Sequence, residues 1–268
     1  LLKMRDELGE DKKGAIEKIL TKNLYGLEID HRCVQIAAFS LALEAWKEGW
    51  EPNKQLPLPN LAWCGQSIKS DKKEWTSYAG ENGLYEGIFS QYYDFFKNAD
   101  YLGSLIPIEN SLVSFKEIEE KIITLLSTEK GDPVSEIFGE TTIGILKVAN
   151  ILNKHNFDLI VTNPPFLGYK KFGKILKDFC QESFPDERHD LSTAMLRRGF
   201  SFLKEGGILA YVSPQNWTFI QSYLKFREFI LNNEKILTMC WLGPGAFSEI
   251  SGEVVKVVLS IFSKRKTN

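Results

Sequence analysis

Apolar and polar positions are most sharply ordered in the stretch Phe157-Asp158-Leu159-Ile160-Val161-Thr162-Asn163-Pro164-Pro165-Phe166. Phe157 to Val161 is a short apolar, β-branched run, which predicts a buried strand, and the double proline ends it because proline carries no N–H for a ladder or a helix. Asn163 therefore falls at the carboxyl edge of a strand.

The same reading punctuates the rest of the chain. Ala15 to Lys22 has helical spacing with Asn23 as a stop, and Leu24 to Asp30 reads as a short strand ending in the carboxylates of Glu28 and Asp30. Asp30 is placed to cap a following helix in which Val34, Ala37, Ala38, Leu41, Ala42 and Ala45 share one face. Pro59 to Ile68 reads as a further strand with a loop at Gly65-Gln66. Residues 69–150 look like a mainly helical insertion, with Gly131-Asp132-Pro133 as a break. Asp190 opens an amphipathic helix that Lys204-Glu205-Gly206-Gly207 is expected to stop, Ile208 to Pro214 is the next buried strand, and Tyr223 to Leu231 is another helix. Leu242 to Phe262 has two strand-like ends around a glycine-rich loop, as in a terminal antiparallel hairpin. Alternating strands and helices predict an α/β fold with a mostly parallel sheet.

Composition sharpens this only slightly. The 268 residues suffice for one large α/β domain or one with an insertion, and 43% hydrophobic and 25% charged residues exclude overall disorder. A formal net charge of −2 lacks the basic excess of a complete nucleic-acid-binding protein, although a catalytic domain whose DNA-gripping module lies elsewhere has the same balance. Cys33, Cys64, Cys180 and Cys240 form no Cys-x-x-Cys pair and read as reduced thiols. Without a signal peptide or an apolar run of membrane-spanning length, a cytoplasmic protein with no membrane partner is expected. The opening Leu-Leu-Lys-Met suggests a missing upstream segment.

Ligands of open α/β sheets bind at the carboxyl ends of the strands. There Asn163 offers an amide oxygen, Pro164 and Pro165 offer carbonyls outside any helix or ladder, and Phe166 offers a ring face. That set suits an exocyclic amine with two N–H donors on a stacked base. An ordinary strand-to-loop turn is the competing reading. Glu28 is placed to accept from the two hydroxyls of a ribose, or to cap locally. Lys170 and Lys171, on a basic stretch that reads as flexible, are placed to touch phosphates or simply to be solvated. Gly243-Pro244-Gly245 precedes no helix, so it is no phosphate cradle.

Asn-Pro-Pro-Phe after an apolar strand resembles the catalytic motif of the S-adenosylmethionine-dependent DNA amino-methyltransferases. The stretch from Leu24 to Leu43 resembles their ribose-binding motif, and the segments Ala99 to Ile106 and Leu242 to Phe262 resemble BREX-type phage-defence enzymes; type IIG restriction-modification enzymes are similar in kind. The resemblance implies a Rossmann-like methyltransferase fold, α/β and mostly parallel with a C-terminal antiparallel hairpin. Its first, glycine-rich strand is expected to be missing, because residues 1–23 contain no Gly-x-Gly. The implied organisation is a truncated N-terminal core part in 1–68, the insertion in 69–150 and the catalytic core part in 151–268.

The resemblance further implies a DNA adenine-N6 methyltransferase, with Asn163, Pro164, Pro165 and Phe166 as catalytic residues. Glu28, Ile29, Gln66 and Asn163 would bind S-adenosylmethionine, with Gln66 replacing the Asp usual in the family. Phe166 and Phe247 would stack the flipped base. No metal is expected, double-stranded DNA and other defence-complex subunits are the expected partners, and this piece alone is expected to bind cofactor poorly. The alternatives are a cytosine-N4 methyltransferase, a protein-glutamine methyltransferase, or a non-catalytic DNA-binding subunit of a defence complex.

Overall fold

The computed structural model describes residues 1–51, 53–77, 83–108, 133–243 and 256–265. The chain divides into two compact units, Leu1–Leu152 and Asn153–Asn268.

In the first unit, α1 (Leu2–Glu7) and α2 (Lys12–Lys18) lead into a π-helical turn, Ile19–Asn23. Asp11 caps α2 by accepting from the Gly14 N–H at 2.9 Å. Strands β1 (Tyr25–Glu28) and β2 (Asn60–Trp63) pair in parallel, Tyr25 opposite Asn60 and Glu28 opposite Trp63. Helix α3 (His31–Lys47) is the crossover between them and packs on both strands. Its start is the one the sequence predicts, with the Asp30 carboxylate accepting from the Arg32 N–H at 2.9 Å. The Asn60 amide donates to the Thr21 carbonyl at 2.8 Å and so fixes the π-helical turn against β2. Ile16, Leu20, Ala45 and Trp50 form a small core beneath.

The helices α4 (Lys72–Ser77), α5 (Gly83–Phe96), α6 (Ala99–Leu102) and α7 (Pro133–Leu152) complete this unit. Among them Trp75, Phe96, Leu105, Ile106, Ile145 and Leu152 are fully buried, and α7 packs on β1 and β2.

In the second unit a four-stranded sheet has the order β3-β4-β6-β5, formed by Phe157–Thr162, Leu203–Pro214, Val257–Lys264 and Glu234–Gly243 respectively. β3 runs parallel to β4, while β6 runs antiparallel to both β4 and β5, which realises the expected terminal hairpin. Between β3 and β4 lie α8 (Lys174–Ser183) and α9 (Leu191–Phe202), and α10 (Leu224–Asn233) precedes β5. Leu196, Phe200, Leu209, Trp217, Phe226, Val258 and Phe262 form the core where α9 and α10 meet one face of the sheet. Phe200 meets Phe262 edge-on at 5.4 Å between centroids.

Two expectations are corrected here. Among the described residues β3 pairs on one side only, with β4, and Leu159 is 58% and Val161 73% exposed, so it is not buried as expected. An apolar run reports a taste for burial, but which strands gain a neighbour on both sides is a property of the whole sheet. Nor does Lys204 to Gly207 stop the helix. α9 ends at Phe202 and β4 starts at once, with Lys204-Glu205-Gly206 making an excursion that shifts the register between Phe157 and Leu159. Gly206 turns it at φ +75°, a conformation that glycine adopts without cost. Lys204 pairs with Asp158 across the two strands. Among the described residues, no helix is long and apolar enough to cross a membrane.

Candidate active site

The residues expected to act lie at the carboxyl ends of parallel strands, in two groups. In the first unit, Glu28 ends β1 and its Oε1 accepts from the N–H groups of Ile29 at 2.7 Å and Asp30 at 3.0 Å. The carboxylate is thereby held against the turn at its own strand end, and among the described residues no donor is bonded to its Oε2. Asp30 is fixed separately: the Arg32 side chain, with help from the Arg32 N–H, holds its carboxyl down at about 2.

β2 braces the same turn. The Trp63 indole N–H donates to the Ile29 carbonyl at 2.9 Å, and its ring lies 4.9 Å from that of His31. Gly65 lies so close that a Cβ there would collide with the Ile29 carbonyl oxygen and stand 2.9 Å from Trp63 Nε1. The glycine is thus required by backbone approach rather than by turn geometry. Gln66 comes next, half-buried, with its amide oxygen packed where a Cβ on Gly144 of α7 would be. Cys64 is buried here, and desolvation pushes its thiol up to about 12, so it stays a thiol. Glu28, Ile29 and Gln66 are therefore neighbours on one strand-end platform, with Ile29 46% exposed.

In the second unit, Asn163 is exposed directly after β3, Pro164 is buried, Pro165 exposed and Phe166 half-buried. Among the described residues neither the Asn163 amide nor the Pro164 carbonyl takes part in a hydrogen bond. The turn thus holds two acceptors without a bonded donor among the described residues, the Asn163 amide oxygen at an exposed position and the Pro164 carbonyl on a buried residue.

Beyond Phe166 the chain is an ordered segment, not the flexible stretch its composition suggests. The Leu167 carbonyl accepts from the Leu191 N–H at 2.8 Å, Gly168 bridges Asp190, and the His189 carbonyl accepts from the Tyr169 N–H at 3.0 Å. Tyr169–Lys171 then makes a 3-10 turn, and Phe172 is buried.

Asp190 anchors the other side of that bridge. One carboxylate oxygen accepts from the Ser192 N–H at 2.9 Å and the Ser192 hydroxyl at 2.6 Å, capping α9. Tyr211, paired with Thr162 in the sheet, donates its hydroxyl to the Ser192 carbonyl at 2.6 Å. Burial, with Asp190 nearby, pushes the Tyr211 phenol well above its ordinary value, so it remains a donor. Beside it His189 meets Tyr223 edge-on at 5.3 Å, and desolvation lowers the imidazole below its usual value. Tyr211, His189 and Tyr223 were not singled out in the sequence. The signal for Tyr211 was a tyrosine in a core-facing strand position, whose hydroxyl must find an acceptor.

Phe247 lies outside the described residues; the strands on either side of it pair at Gly243 and Val257, and Val257 also pairs with Pro214.

The class is that of α/β proteins built on parallel strands, whose ligands bind at the carboxyl ends of those strands. Within that class, the chain belongs to the Eco57I restriction-modification methylase family, whose model matches residues 22–245. It is 28% identical over 273 residues to the adenine-specific methyltransferase BrxX of Escherichia coli O9:H4 (strain HS), covering 94% of this chain and 22% of that protein. It is likewise 28% identical over 270 residues to the adenine-specific methyltransferase PglX of Lacticaseibacillus casei (strain Zhang), covering 99% of this chain and 22% of that protein. The chain thus spans 22% of the length of these curated relatives. A nuclease-deletion mutant of the type ISP restriction-modification enzyme LlaGI, solved with a DNA substrate mimic, superposes with a TM-score of 0.48 at 15% identity, over 100% of this chain and 22% of that one.

Proposed function

We propose that this chain is the catalytic part of a cytoplasmic DNA adenine-N6 methyltransferase of restriction-modification or phage defence, acting on double-stranded DNA with S-adenosylmethionine, in the company of the rest of its polypeptide and of other defence-complex subunits. The observation that carries the reading is the Asn163-Pro164-Pro165-Phe166 turn at the end of β3, with two acceptors unbonded among the described residues, in a chain of a methylase family whose relatives are named adenine-specific.

The strand-end platform of the first unit fits the cofactor by the chemistry of its donor set. Glu28 keeps an oxygen for ribose hydroxyls, Ile29 exposes apolar surface for a ring face, and Gln66 carries a carbonyl oxygen for an adenine amine. When bound, S-adenosylmethionine supplies a methyl group on a positively charged sulfur.

The chain's own residues handle the target base. An adenine amine is out of reach within the stack, so the nucleotide must be flipped out. Phe166 offers a ring face to the extruded base. The Asn163 oxygen and the Pro164 carbonyl accept the two N6 hydrogens, which draws the nitrogen lone pair out of ring conjugation and aims it, a gain from positioning and electrostatics. N6 must lose one proton on methylation, and none of the four turn residues is a base, so that proton leaves to an acceptor outside the turn.

The test is transfer of radiolabelled methyl from S-adenosylmethionine to unmethylated duplex DNA by the full-length protein, followed by nucleoside analysis. Label in N6-methyladenine supports the reading, label in N4-methylcytosine replaces adenine by cytosine, and cofactor binding without transfer to any DNA tried points to a binding subunit.

A further inference from the structure

Several lysines in the described structure have acidic partners. Lys12 pairs with Glu48, Lys18 with Glu10, Lys47 with Glu44, Lys54 with Glu51 and Lys72 with Asp94. Lys170, Lys171 and Lys174 are exposed without an ion pair or side-chain hydrogen bond among the described residues, as Lys3 and Lys22 are, but they stand together in one short stretch. Gly168 to Lys177 holds four lysines and no carboxylate, in a chain whose formal net charge is −2. Asp178 and Glu182 lie further along α8 but make no ion pair with these lysines.

The backbone that carries them is held at several points. The Gly168–Asp190 bridge, the Tyr169 N–H bond to His189 and the buried Phe172 fix the 3-10 turn. Lys177 lies over the Tyr169 ring at 4.8 Å, and the Tyr169 hydroxyl donates to Gln181 at 3.3 Å. Lys174 stands in the first turn of α8, where the helix dipole repels a cation. A local placement that works against the fold, on an ordered element beside a functional turn, is what a ligand-facing surface looks like.

We propose that Lys170, Lys171 and Lys174 form a phosphate-binding surface that seats the DNA backbone next to the Asn163 turn; this rests on the methyltransferase reading. Lys170 is seven residues from Asn163, hence within about 25 Å of it even with the chain fully extended. That is the span of several phosphates. Such contacts fix register and orientation without reading sequence.

The test uses the full-length protein and its Lys170→Ala/Lys171→Ala/Lys174→Ala variant, with duplex affinity followed by fluorescence anisotropy across a salt series. Removing one lysine–phosphate pair should make the slope of log K against log salt shallower by about 0.9, so a change of about 2 to 3 is expected, with at least a tenfold loss of affinity at low salt. S-adenosylmethionine affinity should be unchanged, the arginine versions should restore the slope, and the same alanine changes at Lys3, Lys22 and Lys147 should leave it alone. An unchanged slope, no duplex binding by the wild type, or an equal effect from the control triple overturns the surface. Asn163→Ala tells the two ideas apart: if it is inactive while the lysine variant keeps its slope, the surface fails alone, and if it still methylates while the slope falls, the assigned turn fails alone.

Discussion

Tyr211 donates its hydroxyl to the Ser192 carbonyl at 2.6 Å, and this one bond joins the strand beside Thr162 to the helix start that pins the loop beyond Phe166. The candidate catalytic turn is therefore held from both sides, by sheet pairing before it and by the Asp190 cap after it.

Tyr211→Phe should remove that donor, leaving the Ser192 carbonyl with only its helical bond in α9. A loss of about 0.5 to 1.5 kcal/mol is expected, seen as a lower denaturant midpoint at unchanged m-value. An unchanged midpoint would mean that the loop is held some other way.

Asn163→Ala in the full-length protein should lower the rate of methyl transfer by about 10²- to 10³-fold, the usual cost of removing one preorganised polar group from a reaction centre. Because Asn163 is exposed and makes no hydrogen bond among the described residues, thermal stability should be nearly unchanged. Full activity would remove it from the site.

Two glycine substitutions should behave oppositely. Gly65→Ala meets the backbone carbonyl of Ile29 and should cost about 1 to 3 kcal/mol. Gly144→Ala meets only the end of the Gln66 side chain, inside a helix where alanine is favoured by about 0.5 to 1 kcal/mol, so the fold should tolerate it while Gln66 is displaced. If Gln66 contacts the cofactor, calorimetry on the full-length protein will show weakened binding without loss of stability.

The pH dependence of stability should have two limbs. Burial raises Glu187 and Glu234, partly offset by Arg197 and Lys264 respectively, and Glu234 Oε2 is buried without a partner among the described residues. For a raised carboxyl the folded state binds the proton more tightly, so its contribution is complete below the ordinary glutamate value of about 4.3 and is lost as pH rises through the raised value. Asp30 works the other way, contributing above about 3.9 and losing that as pH falls through about 2. Glu234→Gln should flatten the decline between pH 4 and neutrality in urea melts; an unaltered slope would show that Glu234 is not the titrating group.

The one-sided pairing of β3 among the described residues gives a contrast. Val161→Thr should change stability by less than about 0.5 kcal/mol, whereas Leu209→Ala, at a fully buried site on β4, should cost about 2 to 5 kcal/mol. Parity between them would contradict the sheet order.

The local pieces of this protein are written in its sequence. Asp30 before α3, Asp190 before α9 and the double proline after Thr162 act within a few residues of themselves, through side-chain bonds to nearby N–H groups or a missing donor, and each can be read without knowing the fold. The acceptor-rich turn at Asn163 was legible for the same reason. The tertiary structure decided what depends on partners distant in sequence: that β3 pairs with β4, that Gly206 turns within a strand instead of ending a helix, that Gly65 must make room for Ile29, and that Tyr211 holds the loop past Phe166. Composition made the lysines of that loop look like a flexible stretch. Hydrogen bonds to His189 and Leu191, some twenty residues on, give it order, because a backbone group is satisfied by whichever partner the packed core brings within reach.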